Sequence, residues 1–212
     1  MYNNLRKSIA EVPYFTPAMV TQIAGGGKAT VATWLSRELK KNEILRLKRG
    51  VYMAKDYYLS HKNEAGFLAI VSNIVEPNSY LTGAWVLQTH AILSESVFSV
   101  TAATLKHAKK INNEIGNFEY SYIKKILFIG YEKVWNGPLC GYEATLPKAM
   151  FDYFYWKVAS PNLSDKSYDL IEDERLNIDL WTRELHKEFE KYVSISQSPK
   201  MTLIAKQLER KL

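Results

Sequence analysis

The first 55 residues are punctuated so closely that few arrangements are open to them. Pro13 stops a helical pattern over residues 4–12, in which Leu5, Ile9 and Val12 share a face, because proline disfavours helix in the residue before it. Thr16-Pro17 then reads as an N-cap followed by proline at the first helical position. Gly25-Gly26-Gly27 supplies the positive-φ positions of a tight turn, so the helix between, over 17–24, is short and is expected to bury Met19, Val20 and Ile23. A longer helix follows over 28–41, its apolar residues Val31, Leu35 and Leu39 four apart on one stripe, with Asn42 just past its end where a left-handed residue is wanted. Leu45, Leu47, Val51 and Met53 flank Lys48-Arg49-Gly50 as a hairpin with Leu45 and Leu47 inward and Arg46 and Lys48 outward. Helix, short helix, glycine turn, longer helix and basic hairpin, in that order, predict a winged helix-turn-helix over residues 1–60.

Charge is distributed to match. Residues 1–55 carry ten Lys or Arg against three acids, a net +7, whereas the whole chain is +6, so residues 56–212 are close to neutral at −1. A basic first quarter on a near-neutral remainder is the asymmetry of a nucleic-acid-binding module joined to something else. The expected partner is therefore double-stranded DNA. The second helix of such a turn lies in the major groove. At 100° per residue Thr30, Thr33, Arg37 and Lys41 face away from the Val31/Leu35/Leu39 stripe and form the reading face. Arg37 can pair with guanine O6 and N7 together, and the two threonines suit phosphate or a thymine methyl. Lys28 and Lys40 are assigned as phosphate clamps, and Arg46, Lys48 and Arg49 of the hairpin as holders of the flanking backbone or minor groove. Trp34, at the edge of the stripe, is expected to pack on the first helix.

Composition narrows the remaining classes. With 212 residues, 47% of them apolar, the chain can bury a real core and is not disordered. Cys140 is the one cysteine, which excludes an internal disulfide and a multi-cysteine zinc site and suits a reducing, cytoplasmic location. The N-terminus lacks the apolar core of a signal peptide, and no run approaches the ~20 apolar residues that span a bilayer, so no membrane partner is expected. Gly26-Gly27-Lys28-Ala29-Thr30 fails as a phosphate loop, with Gln22 where the first glycine belongs and Ala29 after the lysine. His61, His90, His107 and His186 are scattered, and Cys140 has no companion base in sequence, so no catalytic residue, metal site or cofactor is assigned. Asp152 reads as a carboxylate hydrogen-bonded within a core.

The second half, residues 61–212, is expected to be a mixed α+β domain with a helical C-terminal end. Periodicity predicts helices over 63–74, 82–92 and 146–158, and helical stretches over 168–192 and 199–212. Strands are predicted over 96–101, 118–123 and 126–131, with turns at Gly116-Asn117 and Asn136-Gly137-Pro138 and a loop over 161–165.

Several segments together resemble the AbiE-type antitoxin family, the DNA-binding half of type IV toxin–antitoxin pairs. They are Phe15-Thr16, Leu35-Ser36-Arg37-Glu38-Leu39 with Ile44-Leu45-Arg46, and Arg49-Gly50-Val51-Tyr52. Later come Ser79-Tyr80-Leu81-Thr82-Gly83-Ala84 near His90, and Ala144-Thr145-Leu146-Pro147-Lys148-Ala149-Met150-Phe151-Asp152. The last piece discriminates most. The acid that usually precedes its lysine is absent here, and Asn42 replaces a common glycine. The resemblance implies a repressor of its own operon whose second domain opposes a nucleotidyltransferase toxin encoded next to it. Lacking a Gly-Ser followed by an Asp-x-Asp pair, the chain is not itself that transferase, nor expected to be an enzyme. Residues 165–190, with nine acids against four bases, could face a basic partner, though such a run is more often a solvated helix face. The alternatives are a stand-alone regulator whose second domain senses a ligand or forms a homodimer, and an enzyme or protein-binding module that uses the winged helix only as an interaction surface.

Overall fold

The computed structural model describes residues 2–136, 139–157, 168–210 and 212. It is a mixed α+β protein. The N-terminal unit runs α1 (Tyr2–Ala10), α2 (Pro17–Ala24), α3 (Lys28–Lys40), β1 (Ile44–Lys48) and β2 (Val51–Ala54). Its boundaries follow local chemistry. The Thr16 hydroxyl caps α2 by accepting from the Met19 amide at 3.4 Å. Gly25 and Gly26 turn the chain at φ 68° and 92°. At the end of α3, Asn42 sits at φ 56° while the Asn42 and Glu43 amides donate to the Leu39 and Glu38 carbonyls, the paired bonds of a Schellman cap. Leu5, Ile9, Val20, Val31, Trp34 and Leu35 are buried between the three helices and the hairpin. Ile23, expected inside, is 48% exposed, because the short α2 turns Val20 and Ala24 inward instead.

The remainder continues through α4 (Lys55–His61), α5 (Phe67–Val75), β3 (Ser79–Leu81), α6 (Ala84–Thr89), β4 (Ser99–Thr104), β5 (Lys109–Asn112), β6 (Asn117–Tyr122), β7 (Tyr131–Asn136) and β8 (Leu139–Ala144). It ends in α7 (Leu146–Trp156), α8 (Leu170–Asp173), α9 (Arg183–Ser196) and α10 (Pro199–Glu209). The strands β3 to β8 form one mixed sheet in the order β5-β6-β4-β3-β8-β7, with β4–β6 and β3–β8 parallel and the other neighbours antiparallel. Helix α5 lies directly on β8. A methyl group on Gly141 would strike the Ala69 backbone, so the glycine allows the close approach. Buried apolar side chains from Leu5 to Leu208 form one cluster through both halves of the chain.

Several predicted elements are corrected. The helix predicted over 63–74 starts only at Phe67, because Gly66 before it is left-handed at φ 75°, and α4 precedes it where no element was predicted. The start of the region predicted as helix over 82–92 is pinned by Gly83 at φ 64°, leaving only Ala84–Thr89 helical after the short strand β3. The strand predicted over 96–101 lies at Ser99–Thr104, and 126–131 holds the end of a 3-10 turn, Lys125–Leu127, before β7. The stretch 168–192 is broken: Arg175 adopts φ 53°, and Leu176 leaves the helix to bridge Leu93. Helix α7 ends at Trp156 and α10 at Glu209. The predicted turn residues Gly137 and Pro138, Val158 and the loop over 161–165 lie outside the described residues. No helix among the described residues is long and apolar enough to cross a membrane.

Candidate nucleic-acid interface

The residues expected to meet DNA divide into groups. Thr30, Thr33, Arg37 and Lys41 are all exposed and line one cleft of about 540 Å³ with Arg6, Trp34 and Glu38. They lie opposite the buried Val31 and Leu35, as helical spacing requires. The Thr33 hydroxyl donates back to the Ala29 carbonyl at 2.9 Å, which leaves its oxygen as an acceptor only. Arg37 makes no ion pair with a described residue, so its five donors face solvent.

Beneath this cleft lies a pair that sequence reasoning did not anticipate. Glu38 is 3% exposed and accepts two bonds from the Arg6 guanidinium, at 2.8 and 3.0 Å. That hydrogen bonding, with the Glu38 charge, raises Arg6 above its ordinary value. The fork fixes α1 against α3 and brings a second guanidinium beside Arg37. The signal in sequence is faint: an acid in the run Arg37-Glu38 falls on the flank of the apolar stripe, and nothing local identifies its partner 32 positions away.

Lys28 and Lys40 are exposed, but Lys28 lies on the other side of α3. It borders an apolar groove of about 530 Å³ with Val31, Leu35, Leu39 and Tyr52. Arg46 and Arg49 are exposed on the hairpin, Arg49 at the tip beside Gly50 at φ 76°. Lys48 departs from its expected outward role. It is half-buried and its ammonium donates to the Val75 carbonyl at 2.9 Å, with burial pushing the amine below its usual value. Instead of reaching out, it ties the hairpin to α5, while Asn113, in the turn between β5 and β6, ties it to the sheet by donating its side-chain amide to the Leu47 carbonyl at 3.1 Å.

Next to Lys48 the basic character continues into the turn between β4 and β5. Glu76 is 2% exposed, and the ammonium groups of Lys106, at 2.8 Å, and Lys109 close on its carboxylate. Lys110, further along β5, pairs with Glu119 at 3.1 Å. Lys106, Lys109 and Lys110 were not singled out from sequence. The motif Lys106-His107-Ala108-Lys109-Lys110 is visible there, but its position beside the hairpin depends on the fold.

The Pro147-Lys148 to Asp152 piece serves the core. Lys148 and Asp152 have no exposed surface and meet at 2.6 Å, and Asp152 also accepts from the Tyr80 hydroxyl at 3.0 Å and the Thr82 hydroxyl at 2.9 Å. Lys148 lies 4.8 Å from the Phe151 ring centroid and 5.3 Å from that of Tyr192. Enclosed in this way, the pair forms a hydrogen-bonded core group.

Compared with known proteins, the chain matches no protein-family model and no curated protein.

Proposed function

We propose that residues 1–60 are a winged helix-turn-helix that binds duplex DNA, with α3 in the major groove. The reading rests chiefly on the open face of α3, where Thr30, Thr33, Arg37 and Lys41 stand exposed opposite the buried Val31 and Leu35. Two further features support it. Phe15, between α1 and α2, exchanges backbone hydrogen bonds with Tyr52, adding a third strand position to the β1–β2 hairpin. Arg49 at the hairpin tip is free to meet a phosphate.

In this reading Arg37 contacts a base edge, Thr30 accepts or donates and Thr33 accepts at the groove, Lys40, Lys41, Arg46 and Arg49 neutralise phosphates, and Lys48 holds the hairpin in place. The chain acts as a repressor of its own operon, and residues 61–212 oppose a toxin encoded beside it. This last step rests on the family resemblance.

The test is titration of the full chain on duplex DNA from upstream of its own reading frame, with a promoter reporter in parallel. Retarded DNA and repression that both fall in Arg37→Ala support the proposal. An unshifted duplex and an unrepressed promoter contradict it. Growth rescue on co-expression with a neighbouring nucleotidyltransferase gene tests the antitoxin role separately.

A further inference from the structure

A further cleft, of about 390 Å³, opens beside the carboxyl ends of two parallel strands. Leu81, the last residue of β3, is paired in register with Glu143 of β8, and these two form part of its lining. Phe67 at the start of α5 and Trp85 of α6 line it too, and His90, just past α6, lies at its edge. The crevice outside the carboxyl ends of parallel strands is where open α/β sheets hold their ligands.

Glu143 is the unusual member. It is half-buried, and its carboxylate has neither a hydrogen-bond donor nor an ion-pair partner among the described residues. Burial raises its carboxyl above the ordinary range, against the opposing charge of His90. A partly desolvated carboxylate with no partner is costly to a fold, and such groups concentrate where a ligand completes the pairing. The one lysine of the lining, Lys62, extends over the Tyr58 ring, with its ammonium 5.9 Å from the centroid.

We propose that this cleft binds a cationic head group, a guanidinium or primary ammonium, with Glu143 as its counter-ion and the Trp85 ring as the surface it lies against. Carboxylate pairing and cation–π contact are two ways a protein holds such a group, and Glu143 and Trp85 line the same cleft. The site is independent of the DNA-binding reading, because it shares no residue with the α3 face or the hairpin.

The experiment is an NMR titration of the full chain, following the Trp85 indole N–H and the His90 ring. The probes are agmatine, the peptide Gly-Gly-Arg-Gly-Gly and, as a neutral control, N-propylacetamide. Saturable shifts with agmatine assign a free small cation, and shifts with the peptide alone assign an arginine side chain of a partner; either supports the proposal. Glu143→Gln, which keeps the side-chain shape, weakens binding about tenfold or more, as loss of a charged hydrogen-bond partner does. If that variant does not fold, Trp85→Leu, followed by the His90 ring alone, carries the same comparison. Absence of a saturable shift with either cation, an equal response to N-propylacetamide, or undiminished binding in Glu143→Gln overturns the proposal.

Discussion

Phe15 and Tyr52 exchange two backbone hydrogen bonds, of 2.8 and 2.9 Å, and stack their rings 5.8 Å apart. This bridge ties the segment between α1 and α2 to the hairpin that follows α3, so the helices and the hairpin pack as one piece. Phe15 has no exposed surface, and truncating a buried phenylalanine removes transfer energy and leaves a cavity. Phe15→Ala is expected to destabilise the chain by about 3–5 kcal/mol. A urea titration followed by tryptophan fluorescence measures it, and a loss below about 1 kcal/mol contradicts the role given to the bridge.

The Lys148–Asp152 pair makes a different prediction. Both partners are fully buried, so removing one strands the other's charge. Lys148→Met alone is expected to cost roughly 3–5 kcal/mol, and Lys148→Met with Asp152→Leu less than the sum of the two single changes. A double-mutant cycle on unfolding free energies measures the coupling. Strictly additive losses would show that the pair does not act as a unit.

Glu76 gives the chain an acid sensitivity with a defined sign. Burial alone would raise its carboxyl, but hydrogen bonds and charge from Lys106 and Lys109 outweigh that and hold it below the ordinary value. A group depressed in the folded state stabilises above its unfolded pKa, about 4.3 for glutamate, and that stabilisation is lost as pH falls through the lower folded value. Glu76→Gln is therefore expected to lose roughly 1 kcal/mol at neutral pH, a modest figure because both lysines are partly exposed and screened. The gap from wild type then closes on acidification. Melting temperatures of the two proteins between about pH 7 and about pH 3 check this, and a gap that widens in acid refutes it.

The N-terminal unit was legible because its signals are local. Thr16, Pro17, Gly25, Gly26 and Asn42 each dictate the backbone at their own position, and the structure has α2 and α3 within a residue of the spacing they imply. The sheet was harder to read. All three residues of β3 are buried, so it shows no alternation, and β8 contains Gly141, which weakens any strand signal while serving the contact with α5. The edge strands β5 and β7 are rich in charged residues, a pattern that protects an exposed edge but reads as a loop. The candidate interface divides along the same line. Exposure of Arg37 and Lys41 follows from helical periodicity, whereas the bond from Lys48 to Val75 and the nearness of Lys106 and Lys109 arise from contacts tens of residues apart in sequence.

The measurement that bears most directly on the central claim is duplex binding by the full chain as a function of salt, for wild type, Arg37→Ala and Arg49→Ala. DNA affinity built on phosphate contacts falls linearly with the logarithm of salt concentration. Arg49→Ala is expected to flatten that slope by about one ion with little effect on sequence preference. Arg37→Ala is expected to cost about 1–3 kcal/mol, mostly in discrimination between the chain's own upstream DNA and an unrelated duplex. Binding that is absent at low salt, or indifferent to salt and to both arginines, contradicts the account.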